Sequence, residues 1–192
     1  MSASKRIGMV DVVRFGLVMG IFGAAVSWSY GYPRLYGLLS PVEGWTTDAT
    51  RWLLAWSGIE VGRVGTVLSH PGGFAYDIGY RCTGLVVAAF LGVGLLALPL
   101  GWRARARGLI VGLPLVLAAN LARLVGLFFV GVHRREAFDF AHLVLGEAAM
   151  VLVILAVWIW CFGPLGDASG RAGALAGGTR HRAGRSGVPD PA

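Results

Sequence analysis

The sequence predicts an all-α integral membrane protein of about four transmembrane helices, with an extracytoplasmic loop that holds a short interfacial helix and a β-hairpin. Three observations predict it. The chain of 192 residues is 56% hydrophobic and only 14% charged, against about 45–50% apolar and about 25% charged in an ordinary soluble domain. Four apolar stretches, Phe15 to Tyr32, Thr83 to Trp102, Gly108 to Val132 and Phe140 to Gly163, come close to the roughly 20 residues that cross a bilayer. Finally, the positive charge between these stretches is distributed unevenly. A net charge of +7 would suggest a nucleic-acid partner in a soluble protein. Here topology accounts for it, and no nucleic acid is expected.

Residues 1–14 form an N-terminal segment with Lys5, Arg6 and Arg14 against Asp11. The first stretch is free of charge and ends at Pro33. It follows Lys5 and Arg6 as a signal peptide would, but it is long for such an h-region and no clear small-x-small site follows. The connection from Pro33 to Arg81 is balanced, with Arg34, Arg51, Arg63 and Arg81 facing Glu43, Asp48, Glu60 and Asp77. The second and third stretches are joined by Arg103, Arg105 and Arg107 with no acid between them, while Arg134 and Arg135 face Glu136 and Asp139 before the fourth. By the positive-inside rule the arginine-rich turn and both termini are cytoplasmic, and the 33–81 loop is external. Residues 15–163 then form the membrane-embedded domain. The tail, 164–192, is rich in Gly, Ala and Arg and reads as a disordered cytoplasmic segment.

Within the outer loop, Thr46 to Trp56 has the pattern of a short helix. Trp52 and Trp56 share one face, which suits the headgroup level, and Gly58 stops the helix. A hairpin follows: Val64 to Ser69, then Pro71-Gly72-Gly73, then Phe74, Tyr76, Ile78 and Tyr80 in strict alternation. These elements serve either as a lid on the bundle or as an edge that grips an extended peptide; the sequence leaves both open.

Polar groups at membrane depth carry the chemistry, because a charge there costs at least about 2.5–3.5 kcal/mol on insertion scales. Arg123 lies in the third stretch, about 9 Å below the outer surface at 1.5 Å per residue, with Asn120 on the same helical face. Snorkelling to headgroups is its bland explanation. Cys82 stands where the outer loop enters the second stretch, next to Arg81. A helix N-terminus and a neighbouring cation both favour thiolate. Cys161, among Trp and Ile at the far end of the fourth stretch, reads instead as a small buried hydrophobe. His142 opens the fourth stretch. His70, His133 and His181 have no helical setting to fix them. Glu147 falls about 7.5 Å deeper than His142, near Arg123. It is either that residue's partner or a neutral carboxyl bonded within the bundle. Cys82, Arg123 and His142 come from three helices to one depth, and a thiol, an imidazole and a guanidinium at one level suit covalent acyl transfer. Two cysteines are too few for a disulfide framework, and they lack the paired spacing of a zinc site.

At these residues the chain resembles the exosortase/archaeosortase family of membrane transpeptidases. The resemblance is carried by Cys82-Thr83-Gly84-Leu85, by Asn120-Leu121-Ala122-Arg123-Leu124 and by His142 at the head of the last helix, and it spans about Thr46 to Trp160. It implies a membrane cysteine peptidase that recognises exported proteins by a C-terminal motif, an apolar helix and a basic cluster. Such an enzyme cleaves near the motif and transfers the protein to another anchor. It implies Cys82 as nucleophile, Arg123 as oxyanion stabiliser and His142 as proton-transfer group; Asn120, Glu147 and Arg81 are expected to support them by their positions in the sequence. No metal and no cofactor are implied. Many family members carry more helices than the four expected here. The competing reading is a non-catalytic membrane assembly or anchoring subunit, which accounts for the helices and aromatics but leaves Arg123 beside two reactive groups without a reason.

Overall fold

The computed structural model describes residues 8–29, 37 and 40–161. The end of the first stretch at Pro33 and the 164–192 tail lie outside these residues. Helix α1, Met9–Ser29, begins a turn and a half before the expected stretch and takes Asp11 into its first turn, where a carboxylate suits the helix dipole. Helix α2, Ser40–Trp56, starts earlier than Thr46. The reason was in the chain: Ser40 with Glu43 three residues on is a capping-box pattern, and Pro41 fits a first helical turn. The hydroxyls of Thr46, Thr47 and Thr50 each donate to a carbonyl one turn back, at 2.8 Å, so two of them can be fully buried, Thr47 and Thr50. Trp52 and Trp56 stack with centroids 6.1 Å apart; with Trp45 they remain exposed.

The hairpin is present with one strand more than expected. Strands β1 (Gly62–Val64), β2 (Val67–Ser69) and β3 (Ala75–Asp77) form an antiparallel sheet in that order. Leu68 pairs with Tyr76. The alternation sorts as period two requires: Phe74, Tyr76 and Ile78 are buried, while Ala75 and Asp77 face out.

Among the described residues, three helices are long and apolar enough to cross a bilayer: α1, α4 (Trp102–His133) and α5 (Arg135–Cys161). The second expected span is helical only over α3, Leu85–Ala97, 13 residues, about 20 Å at 1.5 Å per residue. Its ends have local causes. Gly84 precedes it in the left-handed region at φ +76°. Leu98 is extended at ψ 146°, as the residue before a proline must be, here Pro99. Arg105 donates to the Leu98 carbonyl at 3.0 Å, so a basic residue of the α3–α4 turn satisfies an acceptor left open at the end of α3.

Two apolar clusters stack along the bundle. One joins Leu91, Leu95, Val116, Met150, Ile154 and Val157 near the arginine-rich turn. Beside it Phe15 and Phe22 of α1 pack against Trp158 and Phe90 at 5.5 and 5.9 Å between ring centroids. The other cluster joins the inner face of the sheet to α2, α4 and α5 through Leu54, Leu68, Phe74, Tyr76, Ile78, Leu124, Phe128 and Ala141, with Cys82 inside it.

Candidate functional site

Cys82 ends a 3-10 turn, Tyr80–Cys82, two residues before α3 rather than within it. It is 7% exposed. Arg81, its neighbour, is exposed. The turn is clamped from α4: Asn120, 1% exposed, donates Nδ2–H to the Cys82 carbonyl at 2.7 Å. The clamp explains Gly84, since a Cβ there would lie 2.9 Å from Asn120 Cγ and φ is positive. Asn120 and Arg123, three residues apart, thus reach the site together.

Arg123 crosses to α5. Its side chain is 7% exposed, and Nη2 donates to Glu147 Oε1 at 2.7 Å and to the His142 carbonyl at 3.4 Å. Of the two alternatives for Glu147, the structure displays the ion pair, with the carboxylate on the exposed side. Gly146 makes room: a Cβ there would collide with Arg123 Nε. This Nε is buried and has no hydrogen-bond partner among the described residues, and the same holds for Asn120 Oδ1 and His142 Nδ1.

His142 does not open its helix as the sequence suggested, because α5 starts about two turns earlier, through a 3-10 turn, Arg135–Ala137. It sits in a π-turn, Ala141–Leu145. Such wide turns are rare and often mark functional positions. The imidazole stacks on Phe138 at 5.8 Å with 3° between planes, and meets Tyr76 edge-on at 6.0 Å.

Tyr76 is the residue sequence reasoning left out of the site. Its hydroxyl donates to Cys82 Sγ at 3.3 Å in a buried contact, and its ring touches Phe138 at 5.4 Å. Burial in the first place, then the neighbouring Cys82, pushes its phenol well above the ordinary value, so it remains a donor at any working pH. The alternation around Tyr76 told which way it points; nothing in the sequence told what it meets there.

Cys82, Arg123 and His142 are therefore gathered by three elements around Tyr76, with Asn120 and Glu147 attached. Among the other histidines, His70 Nδ1 accepts from the Gly72 amide at 3.0 Å and His133 contacts the Phe129 carbonyl at 2.9 Å. Both lie outside this cluster. His181 lies outside the described residues. Cys161 is buried in the other apolar cluster, as expected of a small hydrophobe.

No curated protein and no solved structure matches the chain. A family model, transmembrane exosortase, matches residues 5–160, which takes in every residue of the cluster around Tyr76. The chain belongs to the transmembrane exosortase family.

Proposed function

We propose that this chain is a membrane cysteine transpeptidase. It cleaves a C-terminal sorting signal from exported proteins through an acyl-enzyme thioester and passes the protein to another anchor. Membership of the exosortase family supports the class of activity. The observation that carries the residue roles is the buried Arg123, whose Nε–H is unpaired beside the cluster that holds Cys82 and His142. A fixed charge with a donor left over is suited to an oxygen that becomes negative during reaction.

The steps follow from these groups. His142 takes the Cys82 thiol proton, and the thiolate attacks the carbonyl carbon of the scissile amide. A C–S bond forms, and the oxyanion accepts hydrogen bonds from Arg123. His142 returns its proton to the amide nitrogen, the C–N bond breaks, and the C-terminal fragment leaves as a free amine. The acceptor nucleophile then loses its proton to His142 and attacks the thioester. The product leaves with its new bond, and the Cys82 thiolate recovers the proton from His142. Asn120 fixes the turn that carries Cys82, Glu147 fixes Arg123, and Arg81 adds positive charge next to the thiol. Substrates are exported proteins ending in a short motif, an apolar helix and a basic cluster. The enzyme resides in the cell membrane, with both termini cytoplasmic and the site toward the extracytoplasmic face.

The test is maturation of a co-expressed protein with such a C-terminus, with a thioester adduct sought by mass spectrometry. Cys82→Ala abolishes processing while the protein still accumulates in the membrane, and Cys82→Ser is nearly as poor because its hydroxyl has no accessible anion. His142→Ala slows turnover by about 10²–10⁴-fold, the usual worth of proton transfer. Full processing by Cys82→Ala would remove the covalent mechanism.

A further inference from the structure

We propose that Tyr76 is the positioning residue for the nucleophile: its hydroxyl donates to Cys82 Sγ, holding the sulfur in place and favouring its thiolate, while its ring edge holds the His142 imidazole. This deepens the transpeptidase reading and rests on it for Cys82 being the nucleophile. The sulfur contact does not. Tyr76 belongs to β3, whose inward face is set by period two, and register with Leu68 fixes its depth. The side chain is 7% exposed, and its hydroxyl lies 3.3 Å from Sγ. A phenol buried in an apolar cluster needs a partner for its O–H, and the partner found here is the cysteine sulfur. A hydrogen bond to the charged form of a group favours that form. Burial keeps the phenol neutral far above its ordinary range, so the donor does not itself ionise when the thiol does.

The ring has a second function. Phe138 and Tyr76 meet the imidazole from two sides, one stacked and one edge-on, at 5.8 and 6.0 Å. Phe138 also packs on Tyr76. The orientation of His142 is thus set by the residue that holds the sulfur. The charged and titratable groups around the pair are Arg123 from α4, His142, Glu147 and Asp139 from α5, Asp77 on the same strand and Arg81 beside Cys82. From α2 the shared cluster receives Leu54.

Tyr76→Phe separates the two functions, since it keeps the ring and removes the hydroxyl. The experiment uses the full chain with Cys161→Ala, so that Cys82 alone reports, and measures the rate of alkylation by iodoacetamide against pH. Removing the hydroxyl moves the midpoint of that profile upward by about one pH unit or more, a roughly tenfold loss of thiolate at a given pH, as expected for a hydrogen bond to an ionised group. Processing of the sorting-type substrate falls in parallel below the new midpoint and recovers above it. A merely structural Tyr76 lowers the melting temperature without moving the midpoint. Equal midpoints in the two proteins, or no alkylation of Cys82 at any pH, overturn the proposal. Normal processing by Cys82→Ala alongside a shifted midpoint instead overturns the transpeptidase reading and leaves the sulfur contact standing.

Discussion

Arg123 reaches from α4 to α5 with its guanidinium held by Glu147 and by the His142 carbonyl. A lysine at this position keeps the charge but loses the planar fork that can serve Glu147, the carbonyl and an oxyanion together. Arg123→Lys therefore lowers turnover by about 10²-fold or more, the scale of losing an oxyanion donor, with the protein still accumulating; single-turnover acylation checks it. Glu147 is 60% exposed at its side chain, so solvent screens much of its attraction for Arg123. Glu147→Gln keeps an acceptor and gives a partial loss, and unaltered processing would remove Glu147 from the site. Asn120 contributes differently. Removing its Nδ2–H leaves the Cys82 carbonyl buried and unpaired, at a cost of about 1–3 kcal/mol, so Asn120→Ala lowers both thermal stability and activity. Tyr76 carries the pH dependence outside the spanning helices. Its folded pKa is raised, so its contribution to stability is complete below the ordinary value of 10.0 and is lost as pH rises beyond it. In a spectrophotometric titration the phenolate signal of Tyr76, taken as wild type minus Tyr76→Phe, appears only above that of ordinary tyrosines and together with alkaline unfolding.

At the scale of elements, the π-turn in α5 and Gly146 just beyond it bring the last helix to Arg123. Gly146→Ala makes a sharp test. Alanine raises helix propensity by about 1 kcal/mol, yet its Cβ collides with Arg123 Nε. The variant is expected to keep its helical circular dichroism and lose acylation, because the guanidinium is displaced. Retained acylation would detach this glycine from the site. How much of this was legible in the chain varies by element. The inward face of β3 was readable from alternation, and the shared face of Asn120 and Arg123 from their spacing. The early start of α2 was written in Ser40, Pro41 and Glu43, and the early stop of α3 in Pro99; an apolar-run reading passes over both because it counts hydropathy and ignores caps and breakers. The π-turn and the Tyr76–Cys82 contact were not legible. The first has no marker in the hydropathy or spacing of Ala141–Leu145. The second depends on how strand β3 docks on helices far away in sequence, and periodicity says nothing about docking.

For the whole molecule, the short α3 sets the expected depth of the site. The turn with Arg103, Arg105 and Arg107 is expected at the cytoplasmic surface by the positive-inside rule, and Arg105 ties it to the end of α3. From there α3 rises about 20 Å, whereas the hydrocarbon core is about 30 Å thick. Cys82, at the other end of α3, then falls about 10 Å short of the outer surface. Helix α4, with 32 residues and about 48 Å long, spans the full thickness with length to spare. For the proposed reaction, a recessed Cys82 suits a substrate whose scissile bond adjoins its own membrane helix, since such a bond is presented at the bilayer surface or just inside it. Three single-cysteine proteins in a Cys82→Ala, Cys161→Ala background check the arrangement in intact cells. Gly44→Cys reacts readily with a charged, impermeant maleimide. Arg105→Cys is protected until the membrane is permeabilised. Arg81→Cys reacts with the impermeant reagent several-fold more slowly than Gly44→Cys, but comparably with a small permeant one. Labelling at position 105 in intact cells with protection at position 44 would reverse the orientation. Equal impermeant labelling at positions 81 and 44 would put the nucleophile at the surface and require the bilayer to thin around α3 instead.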